Sequence, residues 1–257
     1  MPNLPSLITA TTLSLLSITS ISCTGGNIQA PSSQAKAINQ NTVHHNGCGI
    51  TSLINAYRFG SPRWNAAILK IDGQTDLQQF NFLASKYGSV KSSYSPGTKR
   101  WEDSSGISSI DLRDLANDFQ TKQKLPLPPL KLTTHYLKGK EPYTTLLQRT
   151  HQQLKTGFTT GFPPILSIKH LAGKKIEGHI VVLYQMPASI SPNATSFPIK
   201  YVDPLGGAIK SGSIRVPDQA RSGKLPRTLT MDLPDSDIAK LTGSTGDNIV
   251  LSSSIAP

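Results

Sequence analysis

The sequence contains very few cysteines and no long apolar segment. Two cysteines in 257 residues exclude a scaffold held together by several disulfides and any zinc site built from four cysteines. No stretch reaches the roughly 18 consecutive apolar residues that a transmembrane helix needs. The hydrophobic share of 37% is nevertheless sufficient to bury a core, so the composition predicts a globular domain.

Charged side chains are absent from the first 35 residues, and the first one is Lys36. This leader contains a short apolar run over residues 13–18, flanked by threonine and serine, which is typical of the hydrophobic region of a secretory signal peptide. We therefore predict a signal peptide over residues 1–22, a flexible tether over 23–36 and a single domain over 37–257. The protein is expected to be exported to a bacterial cell envelope.

Cys23 lies directly after the predicted signal peptide. The segment Ser20-Ile21-Ser22-Cys23 is similar to the processing site of bacterial lipoproteins, although Ser20 stands where a large aliphatic residue is usual. Lipidation of Cys23 would anchor the domain to the membrane, whereas cleavage of an ordinary signal peptide would leave it in the periplasm. The sequence leaves both alternatives open, and a Cys23 that survives unmodified could instead form a disulfide with Cys48 in an oxidising envelope.

Acidic residues are outnumbered by basic ones, 15 to 26, which gives a net charge of +11. The basic residues are dispersed, with Lys99-Arg100 and Lys174-Lys175 as the longest clusters, and no aromatic residues interleave with them to stack on bases. We therefore expect no nucleic-acid partner. A positive surface would instead attract anionic lipid or cell-wall polymer.

Helix signals come first in the chain, and strand signals follow. Apolar residues at helical spacing before Gly60 predict the first helix. Apolar runs of β type, separated by glycine and proline, then extend from Ile165 to Val216. This order predicts an α+β fold in which helices precede an antiparallel sheet. The predicted helices cover about residues 49–58, 64–71, 75–87, 108–119 and 142–155.

The strongest chemical signal is Cys48, in the segment Asn46-Gly47-Cys48-Gly49 directly before the first predicted helix. Unpaired amide groups and the positive end of the helix dipole stabilise a thiolate at this position. The flanking glycines leave room for a substrate carbonyl, and the Cys48 amide is placed to contribute to an oxyanion hole. The alternative is a small buried cysteine with no chemistry.

A nucleophilic thiol needs a base, and His179 is the best placed of the six histidines because it begins the most hydrophobic strand. Asp203 ends the next strand and precedes a glycine-rich turn, so pairing of the two strands would bring its carboxylate beside the imidazole. The separation between Cys48 and His179 falls within the roughly 130–150 residues of the papain arrangement. Cys48, His179 and Asp203 are therefore predicted to be the catalytic residues.

Three motifs follow one another along the chain: CG-x-x-S-L over residues 48–53, GH-x-VV-x-Y over 178–184 and DP-x-G-G over 203–207. Together they resemble papain-like cysteine peptidases of the bacteriocin-leader-processing, double-glycine type. The resemblance implies a papain-like α+β fold. In such a fold an N-terminal helical part has the nucleophile at a helix start, and an antiparallel sheet follows that carries the histidine and the aspartate. It also implies that the cysteine attacks, the histidine acts as base and acid, and the aspartate orients the histidine.

One residue of that family pattern is missing. The family usually has an oxyanion-hole glutamine six residues before the cysteine, where this chain has Thr42. Gln40, Asn41 and Asn46 lie close by and are the candidate donors. Gln40 is preferred for its reach, provided that the loop between it and Cys48 bulges. Loss of one such donor lowers turnover about 10²–10³-fold, so this departure bears directly on activity.

These residues predict an exported thiol hydrolase that cleaves peptide or other amide bonds through an acyl-enzyme. Its partner would be a peptide or protein substrate. No cofactor or metal is expected, because the spacing of His44 and His45 matches no metal-binding pattern. Two alternatives remain open: the same triad could serve acyl or amide transfer or cleave cell-wall peptides, or the domain could be an inactive envelope lipoprotein that acts as a binding module. The oligomeric state is left open.

Overall fold

The computed structural model describes residues 25–172, 175–218, 227–238 and 248–257. The predicted signal peptide and Cys23 lie outside the described residues. None of the described helices is both long and apolar enough to cross a membrane.

The helices are α1 (Cys48–Phe59), α2 (Pro62–Asn65), α3 (Asp76–Leu83), α4 (Ser109–Lys122) and α5 (Tyr143–Thr159). The strands are β1 (Asn27–Gln29), β2 (Trp101–Glu102), β3 (Gly106–Ile107), β4 (Lys131–Thr134), β5 (Ile165–Ala172), β6 (Lys175–Pro187), β7 (Ser196–Asp203), β8 (Ala208–Arg215), β9 (Thr230–Asp232) and β10 (Ile249–Ala256).

Six of these strands close into an antiparallel β-barrel. Their order around the barrel is β6-β5-β10-β9-β8-β7, and β7 pairs with β6 to complete the ring. Closure leaves the ring without the unpaired edges of an open sheet. Two further strands extend it, since β1 pairs with the end of β6 and β4 pairs with β10.

The predicted fold class is therefore wrong. We expected a papain-like fold with an N-terminal helical part followed by an antiparallel sheet, but the sheet closes into a barrel and the few short helices pack around it. Closure depends on β9 and β10, which the sequence pattern did not predict. Strand β10 lies between β5 and β9, yet its centre is Ser252-Ser253-Ser254, a composition typical of a loop.

Strand β6 joins two sides of the ring because it is long and bent. It has 13 residues, pairs with β5 up to Val182, and pairs with β7 from Val182 to Gln185. The register with β7 shifts between Leu183 and Gln185, and such a bulge bends a strand and increases its twist. His179 and Asp203 consequently lie on neighbouring strands of the barrel, as the strand order predicted.

Helix α1 is buried on all sides. Ten of its 12 residues are buried, which is typical of a helix covered by structure around its whole circumference. Ser52 Oγ donates a hydrogen bond of 2.8 Å to the carbonyl of Ile180 in β6. On another side, Gln120 of α4 donates to the hydroxyl of Tyr57 over 3.1 Å. The start of α1 is thereby held against the strand that carries His179.

Part of the segment expected to be a flexible tether is paired with the barrel. Strand β1 lies within the predicted 23–36 tether and pairs with residues 185–187 of β6. The Ala30 amide also donates to the Tyr184 carbonyl over 2.7 Å. This stretch of the predicted tether is therefore fixed to the barrel and follows the end of β6.

Candidate active site

The helix predicted over residues 49–58 is present; it begins at Cys48 and is followed by Gly60 as its cap. Cys48 is a free, half-buried thiol at the first position of α1, where amide groups have no partner inside the helix. The positive end of the helix dipole therefore lies at the sulfur. The structure places this thiol at the helix start that the sequence predicted.

The two glycines beside Cys48 are required by packing. A Cβ atom on Gly49 would lie 2.3 Å from Cγ2 of Ile107, and one on Gly47 would lie 2.8 Å from the Phe80 ring. These separations are too short for non-bonded carbon atoms. The glycines thus let α1 approach its neighbours closely, a reason for their presence that the sequence interpretation did not include.

His179 and Asp203 meet across β6 and β7. His179 Nε2 donates a hydrogen bond of 2.8 Å to Asp203 Oδ1, and both side chains are buried. The Cys48 thiol contacts the same imidazole and is among the groups that raise its pKa. Because Nε2 is engaged by Asp203, Nδ1 is the ring nitrogen left for the thiol. The structure therefore brings the three residues predicted to be catalytic into one connected unit.

The carboxylate of Asp203 is held from three directions. Oδ1 accepts from His179 and also from the amide of Leu205 at 2.9 Å, while Oδ2 accepts from Lys210 Nζ at 2.9 Å. Leu205 belongs to the turn that ends in Gly206 and Gly207, whose φ angles of +94° and +65° favour glycine. The glycine-rich turn thus fixes the orientation of the carboxylate.

Lys210 is a member of this site that the sequence analysis missed. Its ammonium group also binds Asp237 Oδ2 at 2.8 Å, so carboxylate, ammonium and carboxylate alternate. The register pairs Asp203 with Ala208, and residues two apart in a strand share a face. A hairpin drawn around the glycine-rich turn would therefore have placed Lys210 on the same face as Asp203.

The electrostatics of the site favour a charged imidazole. Burial lowers the pKa of His179, but the hydrogen bond to Asp203 and the contact with Cys48 outweigh it and raise that pKa to about 9. Burial raises the pKa of Asp203, whereas His179 and Lys210 lower it by more, and the net pKa lies below its usual value. Burial lowers the pKa of Lys210, and its two carboxylate partners raise it overall. Near neutral pH the site thus holds an imidazolium, an ammonium and a carboxylate between them.

Gln40 is the best placed of the three candidate oxyanion donors. It begins a single 3₁₀ turn, Gln40–Thr42, and lines the same groove as Cys48. Its backbone amide donates to the Pro204 carbonyl at 2.7 Å, which ties it to the turn after Asp203. Its side-chain Nε2 donates one proton to the His45 carbonyl at 2.7 Å. A glutamine amide carries two protons, so the second is left to face a substrate oxyanion.

The other two candidates are less suited to this role. Asn46 also lines the groove, but its Nδ2 donates to the Asp103 carbonyl at 2.7 Å and contacts the ring of His45 at 3.0 Å. Asn41 is exposed and lies outside the residues that line the groove. The amide of Asn46 is therefore engaged elsewhere, and that of Asn41 lies away from the thiol.

A groove of about 840 Å³ runs past Cys48 and His179. One wall is the loop of residues 104–109, and the other is formed by side chains of β4, β5 and β10. The volume lies within the range of about 300–1,000 Å³ that is usual for ligand sites. The thiol and imidazole therefore face a cleft large enough for a segment of peptide.

His44 and His45 belong to an aromatic cluster beside the groove. Their rings stack with centroids 4.8 Å apart, and His44 also packs edge-on against Trp101 at 5.0 Å. In the part of the chain that the structure describes, no group of three or more His, Cys, Asp or Glu side chains is arranged to hold a metal ion. Besides these ring contacts, His44 Nδ1 accepts from the Asn46 amide at 3.1 Å, and His44 Nε2 lies 3.6 Å from Asp103 Oδ1.

A comparison of the chain with models of protein families found no family that matches, and a search of curated proteins found no significant match. The resemblance to papain-like cysteine peptidases therefore stays a prediction from three short motifs. The assignment of roles to residues rests on the geometry of this chain's own side chains.

Proposed function

We propose that the protein is a thiol hydrolase that cleaves peptide or other amide bonds with Cys48, His179 and Asp203. One observation carries the proposal: a thiol at a helix start contacts a buried imidazole whose other nitrogen lies 2.8 Å from a buried carboxylate. A thiol nucleophile, its base and an orienting group require this arrangement. The uncharged leader supports export of this activity to the cell envelope.

Acylation would begin with Cys48 as a thiolate and His179 as an imidazolium. The sulfur attacks the amide carbon, and the carbonyl electrons move to its oxygen, which accepts hydrogen bonds from the Cys48 amide and the free amide proton of Gln40. His179 Nδ1 then gives its proton to the amide nitrogen. The carbon–nitrogen bond breaks, the amine leaves and a thioester with Cys48 remains.

Deacylation would use the same groups in reverse. Neutral His179 takes a proton from water at Nδ1, and the resulting hydroxide attacks the thioester carbon. The carbon–sulfur bond breaks, which releases the carboxylic acid and restores the thiolate. Asp203 keeps Nε2 protonated throughout and stabilises the imidazolium each time it forms.

A peptide-cleavage experiment tests this function. The purified protein is incubated with a mixture of peptides, and new termini are identified by mass spectrometry, with Cys48→Ser as the matched control. New termini with the natural chain and none with Cys48→Ser support the proposal; equal cleavage by both proteins would place the chemistry elsewhere. Addition of a primary amine to the same reaction distinguishes hydrolysis from acyl transfer. A product in which the amine replaces the cleaved part of the peptide indicates acyl transfer, because the groove must admit the amine to the acyl-enzyme.

A catalytically weak binding module is the second candidate, and the hydrogen bond from Gln40 Nε2 to the His45 carbonyl favours it. Of the three candidate donors, only Gln40 has a side-chain amide suited to hold an oxyanion. The bond to His45 uses one of the two protons of that amide. If the site is catalytic, Gln40→Ala lowers the turnover number about 10- to 1000-fold and leaves the rate of thiol alkylation nearly unchanged. Binding of peptides by the natural chain without any cleavage would favour the module instead.

A further inference from the structure

The charged side chains that line the groove are few. Apart from the histidines, the described residues that line it include one cation, Lys169, and one anion, Glu177. Lys169 is half-buried, and no ion pair or hydrogen bond joins its ammonium group to any described residue. A partly desolvated ammonium without a partner favours an anion that arrives with a ligand.

The register places Lys169 on the same face as Ser167 and Gly178, whereas His179 points to the other face of the sheet. Lys169 of β5 pairs with Gly178 of β6, and Ile168 pairs with His179. Paired residues of antiparallel strands have Cα atoms about 4.5–5.5 Å apart. Gly178 has no side chain, and a Cβ atom there would meet nothing within 4 Å. The stem of Lys169 therefore has open space beside the residue that precedes His179.

A row of hydroxyl groups continues from this point across the barrel. Ser167 of β5 pairs with Ser253 of β10, which pairs with Thr134 of β4, and all three line the groove. Ser252 Oγ donates to the Ser167 carbonyl at 3.0 Å and lies 3.2 Å from its Oγ. Hydroxyl groups both donate and accept, so this wall suits a polar chain rather than a large apolar side chain.

Two exposed apolar side chains also line the groove. Tyr94 is 61% exposed and Ile176 is 63% exposed, and they are among the few large hydrophobic residues on the surface. Glu177 follows Ile176 and is also exposed. Because successive residues of a strand point to opposite faces, Glu177 and Gly178 do not share a face, and the carboxylate of Glu177 does not neutralise Lys169.

We infer that the groove binds a peptide that carries a carboxylate, and that Lys169, which lines the same groove as Cys48 and His179, recognises this carboxylate. The inference rests on the proposed function for the cleavage step. Lys169 supplies the charge, and the hydroxyls of Ser167, Ser253 and Thr134 bind the polar backbone. The carboxylate belongs either to an acidic side chain or to the C-terminus of the peptide, and both present the same group to the ammonium.

Alkylation of Cys48 by an anionic and a neutral reagent tests the charge of the groove without a substrate. The rate constants for iodoacetate and iodoacetamide are measured at Cys48 by mass spectrometry, and their ratio is compared between variants. Lys169→Glu should lower the iodoacetate-to-iodoacetamide ratio about three- to tenfold, and Lys169→Met about two- to threefold, because the charge at residue 169 lies in the same groove as Cys48 and acts only on the anionic reagent. Lys200→Glu, at an exposed position of β7 outside the groove, is the matched control and should leave the ratio unchanged.

Peptide cleavage then tests recognition of the substrate. We expect kcat/KM to be at least about tenfold higher for peptides that contain Asp or Glu than for their amide counterparts, and Lys169→Glu should abolish or invert this preference. Amidation of the peptide C-terminus distinguishes a terminal carboxylate from a side-chain carboxylate.

The outcomes separate the two proposals. If Cys48 is alkylated fast and the iodoacetate-to-iodoacetamide ratio is the same in the natural chain and in the Lys169 variants, the carboxylate site is overturned and the proposed hydrolase is retained. A ratio that depends on Lys169, in a protein whose Cys48 reacts no faster than a free thiol and cleaves nothing, keeps the carboxylate site and overturns the hydrolase.

Discussion

Two buried histidines on one face of the barrel are held in opposite charge states. His179 of β6 pairs with Ile168 of β5, and His170 lies two residues further along β5, so both imidazoles share a face. The pKa of His179 is raised to about 9, whereas that of His170 is lowered to about 4 by its burial and by the charge of His179. At neutral pH one ring is therefore charged and its neighbour is neutral.

The pKa values of the two histidines differ because His179 has polar partners and His170 has none among the described residues. His179 has the carboxylate of Asp203 on one ring nitrogen and Cys48 as a second partner, while neither nitrogen of His170 has a hydrogen-bond partner among the described residues. Burial alone disfavours a charged imidazole, as His170 demonstrates. A buried imidazolium is thus a local product of Asp203 and Cys48.

The two regions consequently respond to pH in opposite ways. The raised pKa of His179 contributes stability that is complete below about 6.5 and is lost as pH rises through about 9. The lowered pKa of His170 contributes stability that is complete above about 6.5 and is lost as pH falls toward about 4. The combined contribution of these two histidines to stability should therefore be greatest near pH 6.5 and should fall toward pH 4 and toward pH 9.

The largest expected effect comes from removing the thiol that helps to charge His179. Cys48→Ser should lower peptide hydrolysis about 10³-fold or more, because a serine hydroxyl is a far weaker nucleophile in this setting. It should also lower the pKa of His179, which an NMR titration of the imidazole measures. The melting temperature should change little, since the side chain is half-buried and similar in size. Unchanged hydrolysis would exclude Cys48 as the nucleophile.

Asp203→Asn tests the carboxylate that separates the two histidines. The imidazolium loses its hydrogen bond to a carboxylate, which is the largest of the effects that raise its pKa, so the pKa of His179 should fall from about 9 and the alkaline limit of activity should move to lower pH. Turnover should drop about 10²-fold or more. Stability should fall by about 3 kcal/mol, because a buried ionic network loses one partner. Asp232→Asn, at an exposed position of β9, is the matched control, and equal pH profiles for both variants would contradict the assignment.

His170→Leu tests the neutral member of the pair. The natural chain should lose melting temperature between about pH 6.5 and 4, where buried neutral histidines must take up protons to unfold, at about 1.4 kcal/mol per pKa unit. His170→Leu should remove part of this acid sensitivity. His135, whose pKa is also lowered to about 4, and His151, whose pKa is lowered by burial, contribute to the remainder. An acid transition identical to that of the natural chain, with His45→Gln as the surface control, would show that His170 does not titrate on unfolding.

The smallest expected effect is that of Lys210→Met. The ammonium shares Asp203 with the imidazolium, and like charges oppose each other, so its removal should raise the alkaline limit of activity by less than about one pH unit. If Lys210 had only a structural role, Lys210→Met would lower the stability and leave the pH profile of activity unchanged. The pH dependence of kcat/KM, measured beside the melting temperature, distinguishes the two.

Local signals in the sequence predicted the helix start at Cys48 and the strand end at Asp203, whereas His179 lies inside β6 and not at the strand start where it was expected. The helix start at Cys48 followed from the apolar spacing before Gly60, and the contact between His179 and Asp203 followed from two successive strands. These features depend on residues close in sequence or on one hairpin-like pairing. They could therefore be predicted without knowledge of the whole fold.

The closure of the barrel could not be predicted in the same way. Strand β10 is buried along almost its whole length, because the barrel interior covers one face, α4 and α5 pack against it, and β4 pairs with its edge. Its alternation of apolar and polar residues is absent, and two of its serine hydroxyls have partners inside the protein, Ser252 with Ser167 and Ser254 with His135. Lys169 and Lys210 were missed for a related reason, since their importance depends on the register of strands and not on a motif.

The rate of alkylation of Cys48 by iodoacetamide near pH 7, located by mass spectrometry, tests the central claim most directly. The claim is that the imidazolium of His179 makes this thiol a reactive nucleophile. We predict that Cys48 of the natural chain reacts at least about tenfold faster than the same residue in His179→Ala. His45→Ala, at another residue that lines the groove, should keep the fast rate. Equal rates in the natural chain and in His179→Ala would contradict the claim.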